Sequence, residues 1–161
     1  MPTEYLEFVR NKQLEADAVG FEADPSRFGK LYDFQQDILT WALERGRAAI
    51  FADCGLGKTP IQLKWAEQVT MHTGKPILIV APLAVANQTH REAAKFNVSP
   101  ARVCASQDDV GEGVNITNYE KLHHFERSAF GGIVLDESSI LKSYDGKTKQ
   151  RIVSFAEPID Y

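Results

Sequence analysis

Apolar positions along this chain switch repeatedly between a helical and an extended period. Phe34, Ile38, Trp41 and Ala42, with the stem of Arg45, recur at helical spacing and predict a helix over 34–45. Ala48-Ala49-Ile50-Phe51-Ala52 is an apolar run of strand length, and a helix over about 58–72 follows, ended by Gly74 and Pro76. Ile77-Leu78-Ile79-Val80-Ala81 is continuously apolar and mostly β-branched, as in a parallel strand buried on both faces. The remaining pattern predicts helices over 85–96, 119–125 and 147–156, and strands over 102–105, 114–117 and 132–136. Another helix is expected from Thr3 over 3–18, before a Gly- and Pro-bearing loop that reaches Lys30. Strand and helix alternate throughout, which is the signature of an α/β domain built on a parallel sheet with helices on both faces.

Composition adjusts this picture in several ways. With 161 residues the chain has room for one domain with a real core. Its apolar runs fall short of the roughly 20 residues that span a bilayer, so no membrane partner is expected. Two cysteines, Cys54 and Cys104, fit a reducing, cytoplasmic setting rather than a disulfide scaffold. The net charge of −4 and pI near 5.6 are unlike a domain that grips nucleic acid unaided. Any such grip should be weak alone or confined to a local basic face. The basic run Lys142, Lys147, Lys149 and Arg151 reads first as a solvated helix face. His123 and His124 are adjacent and no C-x-x-C pair occurs, so a zinc site is not expected.

The segment with the most chemistry is Ala52-Asp53-Cys54-Gly55-Leu56-Gly57-Lys58-Thr59, lying between a predicted strand and a predicted helix. That context is what a phosphate-binding P-loop requires. Glycines at 55 and 57 let the backbone turn its N–H groups toward phosphate oxygens, and the helix N-terminus adds its dipole. Lys58 is placed to reach the β- and γ-phosphates of ATP, and the Thr59 hydroxyl to hold Mg²⁺. Asp53, Cys54, Gly55, Leu56 and Gly57 complete the loop. A full P-loop pattern begins with glycine, whereas position 52 is alanine.

Downstream, Val134-Leu135-Asp136-Glu137-Ser138-Ser139 puts an acidic pair at the tip of an apolar strand. Ligands of parallel sheets sit outside the carboxyl ends of the strands, so the pair faces the same nucleotide if both segments share one sheet. Asp136 is then the second Mg²⁺ ligand, and Glu137 the group that polarises the attacking water. An acidic pair by itself is more often a turn or a cap.

Together these motifs resemble superfamily 2 helicases, most of all the Swi/Snf-type translocases and their compact phage-associated members. Alanine at 52 agrees with the helicase form of the P-loop. Leu31-Tyr32-Asp33-Phe34-Gln35-Gln36 resembles the Q motif, which implies that Gln35 reads adenine. Ile79-Val80-Ala81-Pro82-Leu83 resembles motif Ia and Ile116-Thr117-Asn118-Tyr119-Glu120 motif Ib, which implies nucleic-acid contacts at Pro82, Leu83, Thr117 and Asn118. Lys142 stands where the family often has a basic contact. The resemblance runs from about Leu31 to Lys142. Ser138-Ser139 departs from it, since the family usually shows alanine or glycine and then histidine or aspartate.

The resemblance implies a RecA-like P-loop NTPase domain over 31–161, with 1–30 as a helical extension. It implies ATP and Mg²⁺ as cofactors and duplex DNA as the partner, ahead of single strands or RNA. Motif III and the second RecA-like domain, which supplies arginine fingers, have no counterpart in the sequence. The chain is therefore expected to be an incomplete first motor domain that binds ATP and hydrolyses it very slowly alone. Fast DNA-stimulated hydrolysis by the chain alone would contradict that expectation. Two other classes explain the P-loop as well: a non-catalytic ATP-binding switch or partner module, and a P-loop phosphotransferase. The phosphotransferase leaves the Q, Ia and Ib series unexplained.

Overall fold

A computed structural model describes residues 18–53, 55–142 and 145–161. The helix expected over 3–18 lies almost wholly outside the described residues, as does Cys54. Four parallel strands form the sheet: β1 (Ile77–Ala81), β2 (Ala101–Val103), β3 (Val114–Asn118) and β4 (Gly132–Leu135). Their order is β2-β3-β1-β4, with Ile77 in register with both Val114 and Gly132. β1 is central and buried at every position, which is why its five residues are all apolar.

Helices α1 (Asp33–Arg45), α2 (Lys58–Thr73) and α3 (Leu83–Lys95) cover one face of the sheet, and α4 (Gly146–Ala156) packs on the other. Alternation along the strands feeds both layers. Ile77, Ile79, Val114 and Ile116 point into the α1–α3 core, whereas Leu78 and Val80 join Ile152 of α4, Leu122 and Phe130. α2 is buried almost all round and is the hub of the domain. Its Lys64 is nearly as buried as the apolar residues beside it and is neutralised by Glu67, 2.8 Å away one turn on. Among the described residues no helix is long and apolar enough to cross a membrane.

Three expectations change. The buried face of α1 is Gln35, Leu39, Ala42 and Leu43, so only Ala42 of the predicted stripe is buried, and Phe34 and Trp41 lie about half-exposed. The helix is turned because residues 19–21 run along it: the Val19 and Phe21 amides donate to the Arg45 and Leu43 carbonyls. A Cβ at Gly20 would collide with Leu43 O, so this crossing needs glycine. Second, residues 48–52 join no ladder of the sheet, and Phe51 is 94% exposed. A strand needs a neighbour for its amides and carbonyls. β4 forms the sheet edge, and Ile133 N–H there donates to Tyr161 O at 2.8 Å. Third, the helix expected near 119–125 is a 3-10 segment, Tyr119–His124, begun by the Asn118 side chain accepting from Lys121 N–H.

Candidate nucleotide-binding site

β1, β3 and β4 run parallel and end together, so the segments leaving them meet at one rim. Ala81 is in register with Asn118, and Asp136 N–H donates to Val80 O at 2.8 Å. Pro82, Asn118 and Asp136 therefore lie along the carboxyl edge of the sheet, the edge at which open α/β sheets bind ligands.

The loop ahead of α2 has the backbone its sequence requires. Gly55 and Gly57 sit at φ of 86° and 70°, in the left-handed region that strains other residues. Gly57 caps α2 with no side-chain hydrogen bond, so the first amides of the helix have no side-chain cap. Pro60, in the first turn, gives up only an N–H that the helix would not use. Lys58 folds back: its ammonium donates to the carbonyls of Ala52 at 2.8 Å and Asp53 at 3.3 Å. Its charge thus sits over the loop, held by neutral acceptors that an anion can displace.

Gln35 is tied to this loop, and only 4% of it is exposed. Its carboxamide oxygen accepts from Tyr32 N–H at 3.0 Å, while its nitrogen donates to Leu56 O at 3.3 Å and reaches Gly57 O at 3.5 Å. A Cβ on Gly57 would collide with that nitrogen. The carboxamide expected to read adenine faces the loop at 56–57 in this structure, with both ends engaged.

Asp136 follows β4, and two donors hold its carboxylate. Gln62 of α2 donates to Oδ2 at 3.2 Å, and the Glu137 amide donates to Oδ1 at 3.0 Å. The Asp136 carbonyl accepts from the Tyr119 hydroxyl at 2.7 Å. Glu137 is exposed and takes φ of 49°, an uncommon conformation for a residue with a Cβ. Through Gln62, Asp136 is linked to the helix whose first turn holds Lys58 and Thr59.

These oxygens suit Mg²⁺. The Thr59 hydroxyl and Asp136 carboxylate are hard donors, and Mg²⁺ takes one or two protein oxygens beside phosphate and water. Among the described residues no cluster of three or more His, Cys, Asp or Glu side chains forms a site of its own.

The expected nucleic-acid positions divide. Pro82 is partly exposed and Leu83 fully so at the start of α3, and Lys142 is exposed on the 3-10 segment Ser138–Lys142. Thr117 is 1% exposed, and its hydroxyl donates to Cys104 O at 3.0 Å. The Asn118 carboxamide oxygen accepts from Lys121 N–H. The Thr117 hydroxyl and the Asn118 carboxamide oxygen are thus engaged within the fold. Cys104 is enclosed beside Asn115 and the Asp109 carbonyl, and burial pushes its thiol up to about 11.

Sequence reasoning passed over two residues of the site. Gln62 lies four residues after Lys58, so the two share a helix face, a usable signal. Tyr119 directly follows the end of β3, but no local pattern shows its hydroxyl reaching the Asp136 backbone.

No family model matches the chain, and no curated protein matches it. Among solved structures, the UvsW helicase from bacteriophage T4 superposes with a TM-score of 0.73 at 18% identity, covering 98% of this chain and 67% of that one. A second structure of T4 UvsW gives a TM-score of 0.71 at 18% identity, covering 94% of this chain and 37% of that one. At this identity the likeness is one of architecture: the chain has a RecA-like α/β fold, shared with those two structures.

Proposed function

We propose that this chain is the ATP-binding motor domain of a superfamily 2 helicase or translocase of the Swi/Snf-like type, acting on duplex DNA. The observation that carries the reading is the 3.2 Å hydrogen bond from Gln62 to Asp136. It sets the acidic motif beside the helix that the P-loop opens, so one nucleotide can address both. The phage helicase architecture and the ordered Q, Ia and Ib segments support the same reading.

In this mechanism the turned backbone at 55–57 and the uncapped start of α2 receive the β- and γ-phosphates. Lys58 leaves the carbonyls of Ala52 and Asp53 for the phosphate oxygens. Thr59 and Asp136 would hold Mg²⁺, which would neutralise phosphate charge. Glu137 orients the attacking water. Arginine fingers from a second RecA-like domain, worth ~10³–10⁵ in rate, complete the ATPase in the proposed motor.

The test is titration of the chain with a fluorescent ATP analogue and Mg²⁺. Lys58→Ala is expected to abolish binding, and Glu137→Gln to retain it while removing residual hydrolysis. Undiminished binding by Lys58→Ala would overturn the assignment. A Glu137→Gln chain that hydrolyses as the parent does would show that Glu137 has no such role.

A further inference from the structure

Beyond the rim, a groove of about 900 Å³ lies between α4 and the segment 125–128, on the opposite face of the sheet from α2. We infer that this groove is a second nucleic-acid contact that holds the phosphodiester backbone. The inference rests on the motor reading for its choice of polymer. The groove itself rests on geometry.

The basic run of the C-terminal segment is divided by the fold. Lys147 and Arg151, one turn apart on α4, line the groove, whereas Lys149 lies outside its lining. Arg127 joins them from a different element, the 3-10 turn Arg127–Ala129. Its guanidinium donates to Ser154 O at 3.2 Å, so one cation is fixed across the groove before any ligand arrives. Three cations thus meet one lining carboxylate, Glu126, on a chain whose net charge is −4. Ion pairs within 4.0 Å among the described residues involve Arg27 and Lys64 only, so none of the three is paired that way; the Asp145 carboxylate at the start of α4 attracts Arg151 from a longer range. Local positive charge on an acidic protein draws polyanions.

The lining favours phosphates over an acidic peptide. Gln150 adds a neutral amide donor to the cations. Of the two aromatics in the lining Phe125 is only 7% exposed, which leaves the partly buried Phe155 as the apolar side chain there for a peptide to touch. Lys147 and Arg151 are separated by a helical rise of about 6 Å, so they can meet different phosphates of one strand.

Direction links the groove to the nucleotide. α4 leads down to residues 157–161, and Tyr161 O meets Ile133 near the start of β4. α4 therefore runs antiparallel to β4, and Lys147 occupies the end nearer the Asp136 rim. A backbone in the groove runs from that rim down the back of the domain.

The experiment measures anisotropy of a labelled mixed-sequence duplex bound by the full chain across a salt series. The variants are the double change Lys147→Ala/Arg151→Ala, Arg127→Gln, Arg127→Lys and, as a control outside the groove, Lys149→Ala. The double variant is expected to bind roughly tenfold more weakly at low salt, with a salt slope smaller by about two. Arg127→Gln should weaken binding, Arg127→Lys should restore much of it, and Lys149→Ala should stay near the parent. Affinity for a fluorescent ATP analogue, unchanged in every variant, shows that the fold is intact. The inference is overturned if the double variant binds duplex as the parent does, or if Lys149→Ala is as weak as the double variant. A parent chain that binds poly-glutamate but no duplex also overturns it. Failure of the parent to bind magnesium nucleotide would instead sink the motor reading.

Discussion

The Gln62 carboxamide donates to Oδ2 of Asp136 at 3.2 Å, joining α2 to the end of β4. No other side-chain hydrogen bond among the described residues connects the P-loop helix with the acidic motif. Asp136 is proposed to hold Mg²⁺, so Gln62 would fix the plane of that carboxylate. Outer partners of metal ligands typically carry 10–100-fold in affinity.

Gln62→Ala is accordingly expected to raise, by about tenfold, the Mg²⁺ concentration needed for half-maximal nucleotide binding. Binding of nucleotide without the metal should stay unchanged, because the Gln62 side chain donates to Asp136 and not to the phosphate loop. Gln62→Glu should be worse, since a second carboxylate would then face Asp136. The check is an Mg²⁺ titration at fixed nucleotide analogue, repeated with chelator. An unshifted Mg²⁺ midpoint in Gln62→Ala would mean that the contact serves the fold alone.

The engaged carboxamide of Gln35 separates two roles for the Q motif. If Gln35 holds the P-loop, Gln35→Ala weakens ATP and GTP analogues alike. If it reads adenine, the variant loses its preference for ATP. The hydrogen bonds to Leu56 O and Tyr32 N–H favour the first outcome. Deleting this amide should also cost about 1 kcal/mol per hydrogen bond lost, to Tyr32 N–H and to Leu56 O. Competition binding of the two analogues together with urea unfolding reads both effects.

Much of this was legible in the sequence, for a physical reason. β1 and α2 are nearly surrounded by protein, so their composition is dictated by burial, and their predicted bounds are close to those observed. The turn at 55–57 was legible because its glycines answer a backbone demand that is local. What escaped depends on distant neighbours. The exposed face of α1 is set by the 19–21 crossing, and the apolar run at 48–52 forms no strand because no strand pairs with it. The convergence of Arg127 with Lys147 and Arg151 joins two separate segments, so the run alone read as a solvated face.

Cys104 makes a pH-dependent contribution whose sign is fixed. Burial raises its folded pKa from 9.0 to about 11, so between these values the unfolded chain has lost the thiol proton and the folded chain keeps it. The unfolded state then binds fewer protons, and stability must fall as pH rises through this window. Below pH 9 the two states are equally protonated at this thiol and the effect vanishes. Urea midpoints of the parent should therefore drop more steeply from about pH 9 to 11 than those of Cys104→Ala. The difference between the two curves isolates the thiol from the tyrosines and lysines that titrate nearby. Parallel curves would show that Cys104 ionises freely in the folded state.

Tyr119 carries the remaining link between the motifs. Its hydroxyl donates to the Asp136 carbonyl at 2.7 Å, while its ring is buried with Leu78, Val80 and Leu122. Tyr119→Phe keeps the ring and removes the donor, leaving the Asp136 carbonyl without that partner. A net hydrogen bond of this kind contributes about 1 kcal/mol. The melting temperature should fall by roughly 2–4 °C for a domain of this size. The following residue, Glu137, is held at φ of 49°, and a looser Asp136 carbonyl relaxes that conformation. Residual ATP hydrolysis should therefore fall by more than nucleotide affinity does, since in the proposed mechanism binding rests mainly on the loop at 52–59 and hydrolysis on the aim of Glu137. Parallel losses in both would place Tyr119 with the general packing of the sheet rather than with the acidic motif.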